Sequence, residues 1–174
     1  MRRIAVKGGS GSGKTTFAVE LARRLGVPHV ELDALHHGPN WQEASAEELR
    51  AKVEAVLDDA RGWVVDGNYE GKLGTLVLDR AELVVWLDLA LRVKLRRLWR
   101  RTLRRIRSRE VLWNDNRENW RGAFWGAESL FAWTVRTHLG YRRRWPALLE
   151  GRNVVRLRSA AAVERFLDEA AGWR

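Results

Sequence analysis

Gly8-Gly9-Ser10-Gly11-Ser12-Gly13-Lys14-Thr15 has the spacing G-x-x-x-x-G-K-[ST], a pattern in which a backbone loop cradles phosphate. Glycines let the chain curl until successive N–H groups face phosphate oxygens, Lys14 adds a mobile charge for the outer phosphates, and the Thr15 hydroxyl can ligate Mg²⁺. Residues Gly8 to Thr16 are therefore expected to bind ATP with Mg²⁺. Arg3-Ile4-Ala5-Val6 before the loop reads as a buried strand, and Phe17, Leu21 and Leu25 space a helix that opens at Lys14. A Gly/Ser linker would be followed by neither Lys-Thr-Thr nor a helix.

Two further apolar runs end in acids. Trp63-Val64-Val65-Asp66-Gly67 has the form of a strand whose terminal carboxylate orients Mg²⁺ or its waters, although Asp-Gly also closes tight turns. His29-Val30-Glu31-Leu32-Asp33 reads as a second such strand. There Asp33 is expected to meet the hydroxyl of a phosphate acceptor or, alternatively, to cap a helix over 34–37. His36 and His37 follow, with Asn40 and Trp41 nearby; they are either substrate contacts or ordinary loop polarity, and adjacent histidines converge poorly on one metal ion. Asp88, after Leu83-Val84-Val85-Trp86-Leu87, is expected to cap the helix that begins near Leu91.

The charge is local. Arg92, Lys94, Arg96, Arg97, Arg100, Arg101, Arg104, Arg105, Arg107 and Arg109 carry ten cations with no acid among them, which equals the formal net charge of +10 for the whole chain. Leu91, Leu95, Leu98, Leu103 and Ile106 supply an apolar face, while Arg97, Arg101 and Arg105 form one row four residues apart. Like charges in a row repel, so the row suits an anion lying across it. A solvated face, a nucleic-acid patch and a triphosphate clamp are the three readings. Arg136 and Arg142-Arg143-Arg144 form a second basic cluster. Of ten tryptophans, Trp63, Trp86 and Trp99 are expected in the core; Trp113, Trp120, Trp125 and Trp133 could exclude water, stack on a ring or form a small local core.

These residues need a scaffold. Strands are expected near 2–7, 28–32, 62–66, 83–87 and 153–157, and helices near 14–25, 43–60, 90–107, 128–150 and 159–171. Such alternation implies an α/β sandwich with a mainly parallel sheet, whose ligands gather at the carboxyl ends of the strands. The 174 residues fit one domain, and 108–127, the longest stretch without clear periodicity, is expected to be a lid. Arginines and a strand at the start leave no room for a signal peptide, and no apolar run approaches a membrane span, so a cytoplasmic protein without a membrane partner is expected. With no cysteine, disulfides and thiolate chemistry are excluded.

The chain resembles the P-loop kinases of the adenylate kinase type, and more narrowly a bacterial group labelled DNA topology modulation protein or adenylate kinase-like. The resemblance rests on the P-loop, Leu32-Asp33-Ala34-Leu35-His36 with Asn40-Trp41, Val65-Asp66-Gly67-Asn68-Tyr69, Arg117-Glu118-Asn119-Trp120, Arg136-Thr137-His138 and Val155-Arg156-Leu157-Arg158-Ser159. It implies a three-layer αβα P-loop NTPase fold with a five-stranded parallel sheet, a lid and an acceptor-binding helical segment near 34–60. It also implies that Arg97 and Arg101, with Arg136 from beyond the lid, reach the phosphates. Where adenylate kinases carry Asp-Gly-Phe-Pro-Arg, this chain continues Asp66-Gly67-Asn68-Tyr69-Glu70, an acid in place of the arginine, which argues against AMP as acceptor. Asp33 with the Leu35-His36 pair after it is similar to the acceptor strand of small kinases that phosphorylate hydroxyl groups. The expected activity is thus transfer of the γ-phosphate to a small molecule by Lys14, Asp33, Arg97, Arg101 and Arg136, with Thr15 and Asp66 on the metal; the competing reading is a nucleic-acid-associated NTPase using the basic helix 92–109.

Overall fold

A computed structural model describes residues 1–108, 125 and 129–173. In chain order these form β1 (Arg3–Lys7), α1 (Lys14–Leu25), β2 (His29–Glu31), α2 (Leu32–His36), a 3-10 turn (Pro39–Trp41), α3 (Ala46–Leu57) and β3 (Trp63–Asp66). They continue with α4 (Glu70–Leu73), α5 (Leu76–Arg80), β4 (Leu83–Leu87), α6 (Leu91–Ser108), α7 (Leu130–Leu148), β5 (Val154–Leu157) and α8 (Ala160–Ala170). The strands pair in parallel in the order β2-β3-β1-β4-β5. The order reverses at β1, which makes the loop after β1 the switch point where open α/β sheets bind ligands.

Strand side chains alternate between two apolar layers. Ile4, Val6, Val64 and Val85 face Phe17 and Leu21 of α1 and Phe166 of α8. Ala5, Val65, Val84 and Trp86 face Leu49 and Val53 of α3, Val77 of α5 and Trp145 of α7. Each large side chain fully buried in this way contributes about 2 kcal/mol. Both faces are covered, so the central strands are buried at every residue but Arg3 and mostly apolar, and the expected three-layer αβα arrangement is present.

Three expectations change. The second strand stops at Glu31, and Asp33 lies in the first turn of α2, where its carbonyl accepts the His37 amide at 3.0 Å. Leu32 turns inward, 1% exposed, beneath Gly67, whose φ of 143° and missing Cβ leave room for it. That packing bends the chain into a helix two residues early. Asp88 does not act as a helix cap; it is buried and bound by two arginines described below. Trp99 is 48% exposed and meets Phe131 edge-on, because the inward face of α6 is Lys94, Leu98 and Thr102, one residue off the expected register. Residues 109–124 and 126–128, most of the expected lid with Trp113 and Trp120, lie outside the described residues. No described helix is long and apolar enough to cross a membrane.

Candidate phosphate and acceptor site

The loop between β1 and α1 is shaped by Gly11 (φ 74°) and Gly13 (φ 87°), left-handed positions that favour glycine. Ser12 N–H donates to Gly9 O at 3.1 Å, closing the turn. Gly13 precedes α1 without any side-chain cap, and the first turn of α1 holds no acid, so its amide dipoles face outward unneutralised. Ser12 Oγ is buried with no partner among the described residues, and a Cβ at Gly8 would stand 2.5 Å from it. Asn68 braces the loop from β3: its Nδ2 donates to Gly8 O at 2.8 Å and its Oδ1 accepts from Gly8 N at 3.4 Å. An uncapped helix, an orphan hydroxyl and a cradle closed to side chains together fit a polyphosphate. Lys14 and Thr15 sit half-buried at the mouth, while Thr16 is exposed.

Thr15 Oγ1 lies 3.1 Å from Glu31 Oε1 and 3.3 Å from Asp66 Oδ1. Asp66 is fully buried, and its other oxygen is 2.8 Å from His29 Nε2. A hydroxyl between two carboxylates is the oxygen-rich, sparsely ligated donor set that suits Mg²⁺. Glu31 was missed from sequence because it lies inside an apolar run; its register opposite Asp66 brings it to the site.

Across the β2–β3 edge, Asp33 Oδ1 accepts the Tyr69 hydroxyl at 2.7 Å. Burial, then the Asp33 carboxylate, pushes the Tyr69 phenol well above its ordinary range, so it stays a donor. Tyr69 also meets the His36 ring at 4.7 Å; His36 meets His37 at 4.7 Å, and His37 meets Trp41 at 5.4 Å. Burial, then Lys72, lowers His36 and keeps its ring neutral at neutral pH. Asn40 and Trp41 both hold positive φ, 56° and 59°, in a tight loop closed by Gly38 N–H to Gln42 O at 2.7 Å. Glu70 does not point an unopposed acid at an acceptor: it pairs with the buried Lys7, whose Nζ also donates to Gly67 O at 2.8 Å.

The arginines separate into those at the loop and those away from it. Arg97 Nη1 donates to Ser12 O at 3.2 Å. Arg101 is half-buried one turn farther along α6, and exposed Arg136 lies over Trp133 of its own helix at 5.2 Å. Lys94, unmarked by the leucine spacing, is buried beside the P-loop. Behind it, Asp88 accepts Arg142 Nε at 2.7 Å and Arg156 Nη2 at 2.6 Å. Burial would raise the Asp88 carboxyl, but hydrogen bonds from Arg142 and Arg156 outweigh it and hold the group below its usual range.

A parallel sheet of this order, with a G-x-x-x-x-G-K-T loop joining its central strand to a helix, defines a P-loop NTPase of the kinase fold. A family model described as an AAA domain matches residues 4–121, and the chain belongs to that family. Solved structures with the same fold include a shikimate kinase from Bacteroides thetaiotaomicron, 18% identical with a TM-score of 0.56 over 97% of this chain and 95% of that one. A gluconokinase from Sinorhizobium meliloti 1021 is 20% identical, with a TM-score of 0.54 over 98% of this chain and 89% of that one. A sugar kinase from Janibacter sp. HTCC2649 is 20% identical, with a TM-score of 0.53 over 99% and 94%. At these identities the likeness is one of fold. No curated protein sequence matches the chain.

Proposed function

We propose that the protein is a cytoplasmic, Mg²⁺- and ATP-dependent phosphotransferase, a single domain that moves a γ-phosphate to the hydroxyl of a small molecule. What supports this above all is the Thr15 hydroxyl lying between Asp66 and Glu31 at the mouth of a phosphate-shaped loop, with the Asp33–Tyr69 pair on the adjacent strand edge. The shikimate, gluconate and sugar kinases named above share the fold and act on hydroxyl compounds by their names. In this reading the Gly8–Thr16 segment holds ATP, and Lys14, Arg97, Arg101 and Arg136 offset charge on the transferred group. Thr15 and Asp66 would hold Mg²⁺, which when bound screens the phosphate charge. Asp33, kept in place by Tyr69, orients the acceptor hydroxyl and takes its proton. Residues 108–127 are the proposed lid and 34–60 the acceptor segment. The narrower likeness to the bacterial adenylate kinase-like group, also labelled DNA topology modulation protein, belongs to this proposal.

The test is to follow the γ-phosphate by ³¹P NMR with Mg-ATP against nucleosides, nucleoside monophosphates, sugars and hydroxy acids. Transfer to one acceptor is expected, abolished by Lys14→Ala; transfer that survives Lys14→Ala sinks the site.

A second reading, a nucleic-acid-associated NTPase, is favoured by one observation. Arg92, Arg96, Arg100 and Arg107 share the outer face of α6, are exposed, and have no ion pair or hydrogen-bond partner among the described residues; exposed Trp99 lies beside them. Backbone phosphates suit such a strip, and stacking on Trp99 suits unpaired bases. Single-stranded DNA whose affinity falls steeply with salt, and falls again on Arg96→Ala with Arg100→Ala, is the result this reading requires.

A further inference from the structure

α6 crosses the outside of the P-loop so closely that a Cβ at Gly11 would overlap the Lys94 carbonyl oxygen, and one at Gly9 would stand 2.9 Å from Lys94 Nζ. Lys94 is only 3% exposed, and its side chain makes no hydrogen bond or ion pair among the described residues. Its nearest source of compensation, Asp88 at the end of β4, is engaged: Arg142 takes one oxygen and Arg156 the other. The remaining groups facing it are cationic or uncharged: Lys14 from α1, Arg97 on its own helix, and His138, Tyr141 and Arg142 from α7. An ammonium so enclosed is costly to keep charged unless an anion completes it.

We propose that Lys94 is a phosphate ligand of this P-loop, meeting from α6 the triphosphate chain that Lys14 meets from α1. The inference rests on the reading of the loop as a nucleotide site. It carries a linkage. Burial, offset in part by Asp88 and reinforced by Arg142 and Lys14, pushes the Lys94 ammonium down to about 8 in the free protein. A bound polyanion favours the charged form and raises it again. Binding therefore takes up a proton between the free and bound values, and affinity is full below about pH 8 and falls above it.

The experiment is calorimetric titration of the full chain with a non-hydrolysable ATP analogue and with inorganic triphosphate, at pH 7.5 and 9, in buffers of different ionisation enthalpy. We expect binding about tenfold weaker at pH 9, with net proton uptake. Lys94→Met should bind at least about tenfold more weakly at pH 7.5 and lose the proton uptake, with its fold checked by circular dichroism. Lys94→Arg should keep affinity at pH 9, since a guanidinium does not titrate there. Wild-type binding without proton uptake, or Lys94→Met binding like wild type, overturns the assignment. In that case loss of binding in Lys14→Ala leaves the nucleotide reading intact, whereas a wild type that binds neither probe removes both.

Discussion

Asp66 and Asp33 are both acids beside phosphate chemistry, yet their surroundings assign them different work. Asp66 is fully buried, with His29 on one oxygen and Thr15 on the other, so its position is fixed before any ligand arrives. Asp66→Asn keeps the shape but removes the charge; under the phosphotransfer reading kcat should fall on the order of a hundredfold and the Mg²⁺ requirement shift upward, while metal-free nucleotide binding changes little. A magnesium titration of the rate checks this. Asp33 is half-buried and held by a single phenol. Tyr69→Phe should raise the KM for the acceptor several-fold and leave the KM for ATP unchanged; an equal rise in both would make Tyr69 merely structural. The motif spacing made Lys14, Thr15 and Asp66 legible in sequence. Glu31 and Lys7 were not, because each adjoins an apolar run where only packing decides that a charged side chain turns toward the site, and Lys94 is one cation among the arginines of its segment, set apart only by its burial.

Secondary elements were more legible than contacts. α1 begins at Lys14 and ends at Leu25 because Gly13 and Gly26, both left-handed, stop it on either side, and glycines at those positions are visible in the sequence. The end of β2 was not visible: Val-Glu-Leu-Asp fits a strand as well as a short helix, and Leu32 packing beneath Gly67 makes the choice. The Asp88 knot is likewise tertiary, tying the ends of β4 and β5 to α7 through Arg142 and Arg156. Asp88→Asn should lower stability by about 2 kcal/mol at pH 7, a figure already reduced because both arginines are partly exposed. The Asp88 carboxyl is held below its unfolded value near 4, so its stabilisation is complete above that value and lost as pH falls through the folded one. Urea unfolding curves of the wild type and variant should therefore converge below about pH 4.

At the scale of the whole molecule, charge and topology are distributed unequally. The chain's net +10 equals the ten cations of residues 92–109. The described part of that segment divides across α6: Lys94 and Arg97 touch the P-loop, and the outer row meets solvent. Raising ionic strength should slow capture of a triphosphate while changing its release rate much less, as expected of steering by a local field, and stopped-flow binding of a fluorescent ATP analogue checks it. The sheet has a different consequence. β1 lies at its centre, and its two neighbours are β3 and β4, about sixty and about eighty residues farther along the chain. The strand that leads into the phosphate loop therefore has no partner until much of the chain has been made. Such distant pairings are slow to form, so during synthesis the glycine loop stays a loose N-terminal segment, and the capacity to hold a ligand arises late, together with the sheet itself.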